Sequence, residues 1–247
     1  MPIDRSAIGG GFSFRRALRA PFRLLPRSLA IPIRQGPAQG MKWIVGAGIH
    51  DHWLGTYEPD KQSAIVRFAK AGMTFYDVGA HAGFYTLIFS RLAGDAGRVY
   101  AFEPLPSNAA ALLEHLRINS ISNAWVIDAA AGDRTGMAGF SFDRVGTMNS
   151  LTSDSEPRLR VATIRLDDAS LPPADLIKID VEGTELAVLK GAERALAARH
   201  PILFVALDGL ETRRECLSFL SGLGYDLFTL DGSAVSGEPD EIYALPR

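Results

Sequence analysis

The chain has 247 residues, 47% hydrophobic and 22% charged, which suits one α/β domain with a sizeable core. With 26 Lys and Arg against 28 Asp and Glu, the net charge of −2 argues against a nucleic-acid partner. The single cysteine, Cys216, excludes an internal disulfide framework, and no apolar run is long enough to span a bilayer, so a cytoplasmic protein is expected.

The charge is uneven along the chain. Residues 1–42 carry eight basic residues and one acid, Asp4, leaving 18 basic against 27 acidic residues in the rest. Arginines interleaved with Phe12, Phe14, Phe22, Leu24 and Leu25 would allow weak contact with an anionic membrane surface. Pro21, Pro26, Pro32 and Pro37 fit a partly flexible arm. Residues 43–72 read as an N-terminal lid or helical segment, and 73–247 as the main domain.

Within that domain Thr74–Val78 reads as a buried strand, followed by a glycine turn and a helix over Tyr85–Ala93. Arg98–Phe102 is a second strand, Ser107–Ile118 a helix and Asn123–Ala130 a third strand. Gly139–Phe142 and Arg160–Ile164 look like short β pieces around an irregular stretch, and Gly146–Leu151 reads as a small polar loop able to cover an acceptor. Asp175–Asp180 is a strand leading into a helix over Thr184–Ala198. Pro201–Leu207, Tyr225–Leu230 and Ile242–Leu245 are strands, with a helix over Glu211–Gly222. Alternating strands and helices give right-handed βαβ units and a mostly parallel sheet covered on both faces. No helix separates the last two strands, so the final one is expected to be antiparallel.

Ligands of such sheets bind at the carboxyl ends of the strands. Asp77, Glu103, Asp128 and Asp180 stand at four of these ends. Crowded carboxylates repel one another, so the set points to a ligand with hydroxyls and positive charge. Gly79 would bring backbone N–H groups close to that ligand, and Gly83 would let the helix approach the sheet. The spacing is not the dinucleotide fingerprint, because His81 and Phe84 occupy its second and third glycine positions. Glu103 suits a pair of ribose hydroxyls, and Asp128 an adenine amine, with Ala129 and Ala130 leaving room for the ring. Asp180 is the leading candidate for the base, with Glu182 beside it and His81 as a titratable neighbour. Glu185 reads as a helix-dipole partner, His115 as helix surface and Cys216 as a buried apolar residue.

The order and spacing of several segments resemble the FkbM family of class I S-adenosylmethionine-dependent methyltransferases. They are Leu54-Gly55-Thr56-Tyr57-Glu58, Asp77-Val78-Gly79-Ala80-His81-Ala82-Gly83-Phe84-Tyr85-Thr86 and Val99-Tyr100-Ala101-Phe102-Glu103-Pro104. The most specific is Ile177-Lys178-Ile179-Asp180-Val181-Glu182-Gly183-Thr184-Glu185, followed by Gly191-Ala192. The resemblance implies a Rossmann-like class I methyltransferase sandwich with a seven-stranded sheet. It also implies S-adenosylmethionine as cofactor and O-methylation of a sugar or natural-product hydroxyl. By position Asp77, Gly79 and Ala80 would line the methionine part, Glu103 hold the ribose, Pro104 flank the adenine and Asp128 bond its amine. Glu58 would approach from the lid. The family commonly has Asn at the position of His81 and Glu at that of Ala206. Asp180 and Glu182 offer hard oxygen ligands but no dedicated metal pattern, so a divalent metal is not expected. Two other readings use the same residues: an NAD-dependent oxidoreductase, and a non-catalytic protein on the same fold.

Overall fold

The computed structural model describes residues 26–142, 149–152 and 159–247. Seven strands form the central sheet: β3 (Thr74–Val78), β4 (Arg98–Phe102), β5 (Ala124–Ile127), β10 (Leu176–Ile179), β11 (Ile202–Ala206), β12 (Tyr225–Phe228) and β13 (Glu241–Pro246). Their spatial order is β12-β13-β11-β10-β3-β4-β5, with β13 antiparallel to both neighbours and the other pairings parallel. This is the class I methyltransferase sandwich. The order reverses between β3 and β10, which opens a crevice at their carboxyl ends.

The helices are α1 (His50–Leu54), α2 (Pro59–Phe68), α3 (Phe84–Ala93), α4 (Pro106–Ile118), α5 (Glu185–Gly191), α6 (Glu193–Arg199) and α7 (Leu210–Gly222). Successive strand residues face opposite sides of the sheet. Phe75, Leu176 and Phe204 pack on one face with α3 and the N-terminal segment. Tyr76, Ile177 and Leu203 pack on the other with α5 to α7, around Cys216. Among the described residues no helix is long and apolar enough to cross a membrane.

Three elements differ from the sequence reading. The strand expected over Asn123–Ala130 ends at Ile127, and Ala130–Ala131 (β6) pairs in parallel with Leu159–Ile164 (β9) in a second sheet. That sheet continues through Gly136–Phe142 (β7) to Asn149–Thr152 (β8). The loop expected over Gly146–Leu151 is therefore strand from Asn149 onward, and residues 143–148 lie outside the described residues. The helix expected over Thr184–Ala198 breaks at Ala192, because Gly191 packs against the backbone of Gly132 and the Asp167 carboxylate accepts from the N–H groups of Arg194 and Ala195.

The basic leader is described only from Pro26, so its expected membrane contact falls outside the described residues. Ala30–Pro32 (β1) and Lys42–Ile44 (β2) pair antiparallel, and Ile33 and Ala38 between them are buried. From there α1 leads to α2, whose Lys61 reaches Asp180 at the end of β10 and whose Phe68 packs on Phe204 and Tyr243 of the sheet, and then to β3.

Candidate functional site

The turns after β3, β4 and β10, together with the segment around α1, enclose a cavity of about 460 Å³. Its wall includes Gly79 to His81, Glu103 to Leu105, Asp180 to Glu182, and the rings of His52, Tyr57, Phe84 and Tyr85. This size lies in the range of small-molecule sites.

Gly79 has φ 76°, and a Cβ there would lie 1.8 Å from the Asp180 carbonyl oxygen. The turn therefore touches the loop after β10, which only glycine permits. Its N–H groups point away from the expected partner. Those of Gly79 and Ala80 donate to the Phe102 carbonyl at 3.1 and 3.0 Å, and that of His81 donates to Glu103 Oε2 at 2.7 Å. Gly83 also has a different role from the one expected. At φ 90° it opens α3, and a Cβ would sit 2.1 Å from Leu112 Cδ1, so it brings α3 close to α4.

Asp77 does not line the cavity. Strand alternation turns it toward α3, where it is fully buried and accepts from Thr86 Oγ1 at 2.6 Å. Its register partner on β10 is Lys178, whose Nζ lies 3.3 Å from Asp77 Oδ1 and donates to the Gly79 carbonyl at 2.9 Å. Burial alone would lower the Lys178 pKa, but the Asp77 and Asp180 charges more than reverse this and raise it.

Asp180 faces the cavity between two ammonium groups. Lys178 Nζ is 3.7 Å and Lys61 Nζ 3.6 Å from its Oδ2. Both lysines are buried, and they outweigh the desolvation that would raise the Asp180 pKa, so the carboxyl titrates below its ordinary range. Lys61 also pairs with Glu58 at 2.8 Å and with Glu241. Glu58 does not line the cavity itself. It accepts from the Tyr85 hydroxyl at 2.8 Å, and the Tyr85 ring lies 5.4 and 5.5 Å from the two ammonium nitrogens. Glu241 is the register partner of Ala206, so a carboxylate from the neighbouring strand reaches this network where the resemblance places Glu at Ala206.

At the other end Glu103 is 5% exposed and lines the cavity. Oε1 accepts from the Leu105 N–H and Asn108 Nδ2, and Oε2 from the His81 N–H. Burial raises its pKa despite these bonds. Pro104 stands beside it in the wall, which Ala130 and Ala131 complete. Asp128 is exposed and Ala129 is buried, and neither lines the cavity, whereas Ala130 and Ala131 of β6 do.

Glu182 is exposed at the rim, and partial desolvation of its carboxyl there, followed by the charges of Asp180 and Asp208, raises its pKa. His81 is also at the rim; enclosure and the Lys178 charge lower its pKa, while Asp180 opposes the shift. Glu58, His81 and Glu182 are non-glycine residues at positive φ (45°, 50° and 56°) around one site. Such strain concentrates where function demands it. His115 is buried rather than on the surface, stacked on Trp43. Sequence reasoning missed Lys61, Lys178 and Glu241. A lysine inside the apolar run Leu176–Ile179 was a readable signal for Lys178, whereas Lys61 and Glu241 join the site only through tertiary folding.

The methyltransferase FkbM domain matches residues 77–227. A hexuronic acid methyltransferase of Haloferax volcanii, AglP, is 28% identical over 162 residues, which cover 63% of this chain and 65% of that protein. A methyltransferase FkbM structure from Methylobacillus flagellatus superposes with a TM-score of 0.54 at 22% identity, covering 74% of this chain and 46% of that one. A SAM-dependent O-methyltransferase structure from Thermotoga maritima gives 0.52 at 12% identity, covering 93% and 81%. These two structural likenesses describe the fold. The chain thus spans less than two thirds of the length of AglP and of the Methylobacillus protein.

Proposed function

This chain belongs to the FkbM methyltransferase family, and from that premise we propose that it transfers a methyl group from S-adenosylmethionine to a hydroxyl of a sugar or related small molecule. The observation that carries the reading is the position of Glu103. Its buried carboxylate faces the cavity at the end of the second strand in the parallel order, where nucleoside-binding sheets hold ribose. Oε1 already accepts two hydrogen bonds, and Oε2, which accepts one, keeps a site for a ribose hydroxyl.

The wall fits this donor. The close approach of Gly79 to Asp180 keeps the turn small, and Ala80, Ala130 and Ala131 leave space beside Pro104. When bound, S-adenosylmethionine supplies an electrophilic methyl group on a sulfonium and becomes a neutral thioether. Asp180, kept ionised by Lys61 and Lys178, faces that half of the cavity as a fixed negative charge. Such a charge favours binding of a cation, although ground-state stabilisation does not itself accelerate transfer. Rate comes from alignment of the acceptor and removal of its proton. His52, Tyr57 and Tyr85 give an aromatic face against which the C–H side of a sugar ring can pack. The activity in the name of the Haloferax relative supports a sugar acceptor.

Calorimetry with S-adenosylhomocysteine tests the reading. Micromolar binding, about −8 kcal/mol, is expected for the natural protein. Glu103→Ala should weaken it by about 10- to 100-fold, the worth of hydrogen bonds to a buried charged group. Absence of binding, or binding of NAD in its place, would overturn the assignment.

A further inference from the structure

Building on the methyl-transfer reading, we propose that Glu182 takes up the acceptor proton and that Glu185, buried behind it, is the positioning residue that fixes its loop. Of the acids and histidines that line the cavity, His52 accepts the Ile49 N–H, and Asp180 and Glu103 are committed as well. Asp180 is held between Lys61 and Lys178, so a proton placed on it would uncouple two buried ammonium groups. Glu103 accepts three hydrogen bonds from its own neighbourhood. His81 follows the glycine turn, and its N–H is tied to Glu103 on the β4 side. Glu182 and His81 both line the cavity with no side-chain hydrogen bond or ion pair among those found between described residues, and Glu182 is the one whose loop a buried side chain holds on both sides.

Its backbone is held at a cost. Glu182 has φ 56°, a left-handed conformation that a glutamate disfavours. Glu185 Oε1 accepts from the N–H groups of Val181 at 3.3 Å and Gly183 at 2.9 Å, the residues on either side of Glu182. Glu185 is fully buried, and its Oε2 has no hydrogen-bond partner among the described residues. A helix-dipole role at the start of α5 would be met by an exposed acid, so dipole stabilisation leaves this burial unexplained. Holding the loop accounts for it.

The charges facing Glu182 are Asp180 on its own loop, Asp208 after β11 and Lys178 on β10. The two acids, added to burial, raise its proton affinity while Asp180 is driven the other way. Two carboxylates two residues apart are thereby divided between a fixed charge and a proton acceptor. As the hydroxyl oxygen bonds to the methyl carbon, its O–H bond breaks. The proton passes to the Glu182 carboxylate, and the electron pair of the broken C–S bond remains on sulfur.

The test compares Glu182→Gln, Glu185→Ala, Glu185→Gln, Gly183→Ala and His81→Asn in methyl transfer to a responsive sugar acceptor. Glu182→Gln should lower kcat by about 100-fold and remove the acid limb of its pH profile, with S-adenosylhomocysteine affinity unchanged. Glu185→Ala should lower kcat about 10-fold, shift that limb to lower pH and speed amide hydrogen exchange at Val181 and Gly183 in the free protein. Glu185→Gln keeps the accepting oxygen and should restore both readouts. At Gly183 φ is 96° and a Cβ meets nothing within 4 Å, so alanine there strains the loop without a clash and should also lower kcat. Activity of Glu182→Gln within threefold of the natural protein would overturn the proposal. So would loss of the acid limb in His81→Asn with its retention in Glu182→Gln, which assigns the proton to His81. Unchanged amide exchange in Glu185→Ala would overturn the positioning role. Failure of the natural protein to bind S-adenosylhomocysteine would instead remove the reading on which the proposal rests.

Discussion

Lys178 and Asp77 are register partners on adjacent strands, buried with 4% and 0% of their side chains exposed. A buried ion pair is a modest source of net stability, but removing one member leaves the other charge uncompensated. Lys178→Met should therefore destabilise the fold by about 3–5 kcal/mol, read from urea unfolding. Asp77→Leu combined with Lys178→Met should recover part of that loss, because no unpaired charge remains between the two positions. Equal destabilisation by the single and double variants would contradict the pairing. Strand parity also explains why Asp77 was misplaced from sequence. It stands near the end of β3 in the chain, but alternation turns its side chain, unlike that of Val78, to the face covered by α3, where Thr86 meets it.

The elements themselves were largely legible. Short apolar runs alternating with helix-period segments marked all seven strands of the central sheet, and the lack of a helix before the last one marked its direction. The places that were not legible depend on contacts distant in sequence. The break between α5 and α6 rests on Asp167, 1% exposed and paired with Arg165 and Arg194, which accepts from two N–H groups at the start of α6. Within the segment the isolated Gly191 is the local signal, and a single glycine is tolerated inside a helical pattern, so it does not by itself mark a break. Asp167→Ala should cost about 1–2 kcal/mol, as loss of a helix cap does. Gly191→Ala should cost more, because its Cβ would lie 1.9 Å from the Gly132 carbonyl oxygen, a backbone atom unable to yield without moving β6. Thermal unfolding of both variants checks that ranking. The site was half legible for the same reason. Glu103, Asp180 and Glu182 lie in readable motifs, whereas Lys61 and Glu241 come from α2 and β13 and meet only in three dimensions.

At the scale of the molecule, the N-terminal segment is attached to the sheet domain through histidines that must stay neutral. His115 Nε2 accepts the Ile44 N–H at 2.9 Å, so Nδ1 carries the proton and donates to the Ala82 carbonyl at 2.7 Å. One ring on α4 thus joins β2 to the turn that precedes α3. His52 Nδ1 accepts the Ile49 N–H at 3.2 Å, and its ring packs against Trp43, Tyr57 and Phe84 in the cavity wall. Burial, and then the nearby His81, lower the His52 pKa from 6.5 to about 4. The His115 pKa is lowered too, chiefly by burial. A histidine with a depressed folded-state pKa takes up its proton first in the unfolded chain. The stability it allows is therefore complete above about pH 6.5 and falls as the pH drops, levelling off once the folded protein also protonates. For His52 the loss between pH 6.5 and 4 should approach roughly 3 kcal/mol, since one pKa unit corresponds to about 1.4 kcal/mol. Two of the three tryptophans, Trp43 and Trp53, are buried in this segment and Trp125 is exposed on β5, so urea unfolding followed by tryptophan fluorescence in a Trp125→Phe background reports its attachment. Between pH 7.5 and 4.5 that parent should lose stability more steeply than the same chain with His52→Gln, which has no proton to bind there. Parallel pH curves for the two would show that His52 is not held neutral in the fold.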